Sequence, residues 1–334
     1  MILFLALMSI YADEDDKAYA ELAYNKGLEN ISKENYEEAL LNFQEAIRFD
    51  SAYVMAYIKK GFVQIEMNEY ELAKKDFNHA IRLQPDNGEA YYHLAFINIE
   101  NDRFEEALNH LDKALEHEFN AEKVFYYKGY CGFQLGSYHE AIANYKLAVE
   151  KNDNYSFAYH DMGSAYFMVQ NHQQAEANYE KAISLDQNRP VFFHNLGMLN
   201  LTLEKWDEAL ENFSLAIGLD KNYAEALNNR GIVKINLQQY QSAIDDFQQV
   251  LAMEPDNHIA RNNLAIARSN MENNQEALSH LNKAISLNEN YAEAYLNRGI
   301  VKEKLRDYDG ACKDWKTAKD LGHQAVLNYL EICD

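Results

Sequence analysis

The chain has 334 residues, with 31 Lys and Arg against 53 Asp and Glu, a formal net charge of −22 at pH 7. That charge repels a phosphate backbone or an anionic bilayer, and no Lys/Arg-rich run supplies the basic patch that nucleic-acid binding needs. A hydrophobic content of 48% supports a large core, while 3 Pro and 13 Gly argue against a turn-dense β fold and for a mostly helical chain. No apolar stretch reaches the ~18 residues that cross a bilayer.

Residues 1–12 (MILFLALMSIYA) are apolar throughout, and the acidic run Asp13-Glu14-Asp15-Asp16 opens a lead-in over residues 13–19. An apolar core ending near a small residue predicts a secretory signal, with Ala12 as its last residue. The segment lacks a basic n-region and is shorter than the usual ~15 residues, so an apolar helix covering the first repeat is the alternative. The first reading places the protein in a bacterial periplasm or cell envelope, the second in the cytoplasm.

From Ala20 onward a period of 34 organises the chain. Small residues recur at Gly27, Gly61, Ala95, Gly129, Gly163, Gly197, Gly231, Ala265 and Gly299. Twelve residues after each stands an Ala, from Ala39 to Ala311, and four further on a bulky residue such as Phe43, Phe77, Tyr145, Phe213, Phe247 or Trp315. Steps of four and three share one helix face, so the pattern predicts two helices per unit, closely packed where the residues are small. Asp86, Asn120, Asn154, Asn188, Asn222, Asp256 and Asn290 precede each new unit and are expected to cap its first helix. Acid pairs such as Glu37-Glu38, Glu105-Glu106 and Asp207-Glu208 open the second helices, where the macrodipole favours negative charge.

This pattern resembles the tetratricopeptide repeat, a 34-residue helix–turn–helix unit. Nine units fit in phase over residues 20–325, starting at Ala20, Val54, Gly88, Glu122, Ser156, Pro190, Ala224, His258 and Ala292. The resemblance implies an all-α solenoid, a right-handed superhelix of antiparallel helix pairs whose first helices line a concave groove. Residues 323–334 (HQAVLNYLEICD) read as one further amphipathic helix capping the last exposed face.

No catalytic signature accompanies the repeats, and no room remains for a separate catalytic domain. There is no HExxH, no CxxC and no Gly-Lys-Ser/Thr phosphate loop, so neither enzymatic activity nor a cofactor or metal is expected. His110 and His117 lie seven apart on one helix and read as surface residues. Cys131 reads as a small buried hydrophobe. If the last two helices pack antiparallel, Cys312 and Cys333 could face each other as a disulfide; two free thiols are the alternative. Residues 297–315 resemble the last unit of exported bacterial repeat proteins, which supports an oxidising compartment.

The family resemblance also implies which positions face the groove. Its sixth position reads Asn195, Asn229, Asn263 and Asn297 in four consecutive units. An amide both donates and accepts, so such a row can grip the backbone of an extended peptide, and it resembles the asparagine ladder of O-linked N-acetylglucosamine transferases. Generic consensus usage is the alternative. Toward the N-terminus the facing positions are apolar and aromatic instead, among them Tyr92, Phe96, Tyr126 and Tyr130, which predicts a trough for anchoring side chains. A chaperone-type carboxylate clamp needs Lys at the fifth position and Arg at the sixth, and no unit carries them. The expected function is therefore a non-enzymatic scaffold that binds a protein or peptide segment, basic or neutral rather than acidic, in its groove. The alternative is an accessory subunit of a separate enzyme or envelope complex that acts through the convex face.

Overall fold

The computed structural model describes residues 2–331 and 333, with side chains from Asp15 onward. The side chains of residues 1–14, on which the leader reading rests, lie outside the described residues, as do Ile332 and Asp334. All regular structure among the described residues is helical, and the chain divides into two compact units, residues 1–170 and 171–334.

The first unit comprises α1 (Ile2–Ser32), α2 (Tyr36–Phe49), α3 (Val54–Glu66), α4 (Tyr70–Leu83), α5 (Gly88–Glu100), α6 (Phe104–Glu116), α7 (Glu122–Gln134), α8 (Tyr138–Lys151) and α9 (Ser156–Met168). The second comprises α10 (His172–Leu185), α11 (Pro190–Thr202), α12 (Trp206–Leu219), α13 (Ala224–Asn236), α14 (Tyr240–Met253), α15 (His258–Asn270), α16 (Asn274–Leu287), α17 (Ala292–Lys304) and α18 (Tyr308–Asp320). A 3₁₀ turn over Gln324–Val326 and one α-turn, α19 (Leu327–Leu330), follow. The capping segment is thus shorter and more broken than one amphipathic helix.

Within each unit every helix packs on the next in the chain, and alternate helices also touch: α1, α3, α5, α7 and α9 in the first unit, α11, α13, α15 and α17 in the second. The small residue of each first helix is where the bulky residue of its partner docks. A Cβ at Gly61 would lie 2.7 Å from Phe77 Cε1, and one at Gly231 would lie 2.6 Å from Phe247 Cε1. The rings of Phe43, Phe77, Phe213, Phe247 and Trp315 are consequently buried on this seam.

The turns show two regularities. The turn after each first helix holds one residue in the left-handed region, spaced by 34 from Glu34 to Arg306, and only Gly136 among these nine is glycine. Asn68, Glu204 and Gln238 accept a conformation that costs a non-glycine residue roughly 1–2 kcal/mol. What holds it is a Schellman bond: Glu69 N–H donates to Gln64 O at 2.7 Å, and Gln239 N–H to Lys234 O at 2.7 Å. The residues expected as caps of the first helices all stand one position too early. Asn87 and Asn257 are the caps, accepting from Ala90 and Ala260 N–H. Asn188, Asn222 and Asn290 instead donate their own N–H to Asp186, Asp220 and Asn288, closing turns of two residues.

Candidate functional site

Because first helices touch one another, they form a continuous face within each unit, and on that face of the first unit lies a cavity of about 380 Å³. Leu28 and Ile31 of α1, Phe62 of α3 and Tyr92 of α5 give it apolar walls, and Phe119, Ala121 and Lys123 close the side toward α7. A charged group is built into it. Lys59 Nζ donates to Glu89 Oε1 at 2.7 Å, and His93 Nε2 lies 3.8 Å from the same oxygen. The imidazole, with the ammonium beside it, holds the Glu89 carboxyl down to about 2. Burial lowers His93, whose ring stacks on Phe77 with centroids 4.9 Å apart. Lys123 is exposed at the rim and has no ion-pair partner among the described residues.

The structure brings together part of the predicted aromatic trough. Tyr92 meets Phe119 at 5.3 Å and Tyr127 at 6.0 Å, and Phe96 meets Tyr127 edge-on at 5.9 Å. Tyr126 packs on Tyr155 at 4.8 Å and donates its hydroxyl to Asp161 at 2.8 Å, and burial raises its phenol. Tyr130 stands against Phe104 at 6.2 Å. All four are half-buried, but only Tyr92 lines the cavity. Ile58 and Ile65 of α3 and Ile99 of α5 are core residues.

The asparagine row of the second unit is occupied laterally. Asn263 Nδ2 donates to Asn228 Oδ1 at 3.0 Å, and Asn297 Nδ2 to Asn262 Oδ1 at 2.9 Å. Asn229 Nδ2 lies 3.2 Å from His194 Nε2, and Asn195 Oδ1 lies 3.1 Å from His194 Nδ1. Asn263 is buried, with its Oδ1 accepting from Asn262. Asn263 and Asn297 each donate 35 residues back to the preceding first helix, and in the first unit Tyr126 donates 35 residues forward to Asp161, so these side chains tie successive repeats together. Asn297 also lines a smaller cavity of about 190 Å³ with Ile266, Ile300 and Lys304.

Sequence reasoning missed a set of buried carboxylates between paired helices. Asp246 on α14 receives Arg230 Nε at 3.0 Å and Nη2 at 2.7 Å, and Lys234 Nζ lies at 2.7 Å. Asp314 on α18 is held in the same way by Arg298 at 2.8 and 2.7 Å and Lys302 at 2.8 Å. Lys60 and Asp76 form a reduced version at 2.9 Å. The recurrent spacing of sixteen between cation and carboxylate was the signal available.

His110 and His117 are half-buried against Tyr91 rather than on the surface, at 6.2 and 5.5 Å between ring centroids. Cys131 is fully buried, which pushes its thiol up to about 12. Cys312 and Cys333 are joined as a disulfide, their Cα atoms 5.6 Å apart. Among the described residues no helix is long and apolar enough to cross a membrane, and no group of three His, Cys, Asp or Glu is placed to hold a metal ion.

Acidification should weaken the first unit through His93. Burial keeps its folded pKa below the ordinary 6.5, so the unfolded chain takes up the proton first and stability is lost as pH falls from about 6.5 toward the folded value. Glu89 acts lower: its contribution is complete above about 4.5 and is lost as pH drops toward about 2. The melting temperature should therefore fall between pH 7.5 and 5.5, and His93→Phe should reduce that fall while keeping the ring on Phe77. An identical pH dependence in the variant would contradict the assignment.

Family models of the tetratricopeptide repeat match residues 20–53, 64–125, 98–157, 158–189, 224–257 and 259–291, more than half of the chain. The chain belongs to the tetratricopeptide repeat family, an all-α fold that generally serves protein–protein interaction. Comparison with curated proteins gave no match. Among solved structures, a tetratricopeptide repeat protein from Parabacteroides merdae is similar at 17% identity and a TM-score of 0.59, over 74% of this chain and 98% of that one. The C-terminal part of a repeat-containing protein from Cytophaga hutchinsonii aligns at 17% identity and a TM-score of 0.57, over 71% and 98%. PilF of Pseudomonas aeruginosa aligns at 20% and 0.56, over 64% and 96%. At these identities the likeness speaks to the fold alone.

Proposed function

We propose that the chain is a non-catalytic scaffold that holds a segment of a partner protein on its first-helix face, with one apolar side chain seated in the cavity of the first unit. The observation that carries this reading is the cavity itself: about 380 Å³, walled by Leu28, Ile31, Phe62 and Tyr92 and open on the face where peptide backbones can lie. Its charges are largely settled internally by Lys59 and Glu89, so an incoming apolar group need not strand a bare ion. The segment is neutral or basic overall, because a chain of charge −22 repels an acidic one at long range. Asn229, Asn263 and Asn297 serve chiefly as ties between repeats, and Asn297 offers a second contact point in the other unit.

The test is to select peptides from a random display library on the full chain and measure their affinity for variants. Phe62→Ala should weaken binding about thirtyfold, the loss expected of a central anchor position. The Asn229→Ala and Asn263→Ala pair should lower stability and leave affinity within about threefold. Loss of binding in the asparagine pair with none in Phe62→Ala would overturn the reading. We also propose export, on the strength of the apolar leader and the Cys312–Cys333 pair. Thiol labelling of the protein from its source cells should then find Cys131 as the single free cysteine, and three free thiols would contradict it.

A further inference from the structure

The internal repetition lets one cavity be compared with its own equivalents. In the repeats that begin at Ala224 and Ala292, a guanidinium fills the space between consecutive second helices. Arg230 reaches Asp246 on α14 and, with Nη1, Ser214 on α12 at 3.4 Å; Arg298 reaches Asp314 on α18 and Asn282 on α16 at 2.9 Å. The repeat that begins at Gly88 has no such group. Leu94 stands where Arg230 does, Asn98 where Lys234 does, and His110 where Asp246 does. A cavity of about 190 Å³ remains there between α4, α5 and α6.

Its walls are Asn78, Asn98, Glu106 and His110, together with Lys74 and Arg103. Asn98 Nδ2 lies 2.9 Å from His110 Nδ1, which fixes both side chains. Lys74 and Arg103 have no ion-pair partner among the described residues, in a chain where acids outnumber bases 53 to 31. Burial lowers His110, which favours its neutral ring. Two cations against the single carboxylate of Glu106 leave the space net positive. The repeat that begins at His258 also has Leu, Glu and His at these positions, as Leu264, Glu276 and His280. There Arg268 lies 3.2 Å from Glu276, the cation standing where Asn98 stands in the open site.

We propose that this cavity binds a single anionic group, a phosphate or a carboxylate, between Lys74 and Arg103, with Asn78, Asn98 and His110 as neutral hydrogen-bonding walls. A partner guanidinium replacing the missing arginine fits less well, because the aspartate that would receive it is His110 here. The site lies on the second-helix side and does not depend on peptide binding at the first-helix face.

Inorganic phosphate titrated into the full chain at constant ionic strength, with chloride as the balancing anion, tests it by calorimetry. Lys74→Gln and Arg103→Gln alter only rim side chains, and each should weaken phosphate about tenfold, one charge-assisted hydrogen bond. Asn98→Arg, which installs the cation of Arg268, should abolish binding and raise the melting temperature. A second arm uses the blocked peptide Gly-Glu-Gly against Gly-Gln-Gly. Phosphate binding without glutamate binding defines a free-anion site, and preference for the glutamate peptide defines a docking point for an acidic side chain. No phosphate binding, equal affinity in Lys74→Gln and Arg103→Gln, or tighter binding of methylguanidinium than of phosphate would overturn the proposal.

Discussion

Replacing Asp246 by alanine should cost about 3–5 kcal/mol, because it leaves two cations facing each other without the carboxylate that receives both. Asp246 is 2% exposed, and Arg230 and Lys234 turn their charged ends onto it from α13. Bringing three charges out of water is costly, and only their mutual geometry offsets that cost. Arg230 binds both carboxylate oxygens in the fork geometry that a guanidinium supplies and an ammonium does not. Asp112 provides the control. It pairs with Lys128 at 2.5 Å but is 61% exposed, and Asp112→Ala should change stability by no more than about 0.5 kcal/mol. Replacing Arg230, Lys234 and Asp246 together by Met, Met and Leu should recover most of the loss. The midpoint of urea unfolding reports all three variants, and equal effects of Asp246→Ala and Asp112→Ala would contradict the account.

Breaking the disulfide should cost about 3 kcal/mol, felt mainly in the last repeat. The bond closes a loop of 21 residues between α18 and the C-terminal segment, and its removal returns that conformational freedom to the unfolded chain. The segment adds a modest apolar contact of its own. Val326 is fully buried, and Tyr329 packs on Trp315 at 5.2 Å. Trp315 in turn donates Nε1–H to Leu296 O at 3.3 Å on α17, so the loss passes from the cap to both helices of the last pair. Cys333→Ser should raise amide exchange in α17, α18 and residues 324–330 and leave the first unit unchanged. Unchanged exchange in α18 would show that the cap contributes nothing to the repeat beneath it.

The helix pairs were legible because packing between them depends on side-chain size, and size is what the 34-residue period repeats. Gly61 and Phe77, or Gly231 and Phe247, announce a close contact in any repeat that carries them. Polar groups follow no such uniform rule. Arg230, Lys234 and Asp246 form a clamp that, among the described residues, recurs in full only at Arg298, Lys302 and Asp314, and a reading keyed to apolar faces passes over it. The row of Asn195, Asn229, Asn263 and Asn297 was visible, yet its direction was not: an amide at the edge of a first helix can point outward or across to its neighbour, and Asn263 and Asn297 reach across. The first-unit cavity has no motif at all. Its lining runs from Leu28 and Ile31 on α1 to Phe119 and Lys123, so it is assembled from four repeats, which no local pattern records.

On the proposed reading a partner segment lies on the first-helix face of the first unit. Hydrogen–deuterium exchange of the full chain, with and without a library-selected peptide, tests it most directly. Slowed exchange confined to α1, α3, α5 and the start of α7, around Phe62 and Tyr92, is the predicted result. Protection limited to second helices such as α4 and α6, with α3 and α5 unchanged, would contradict it.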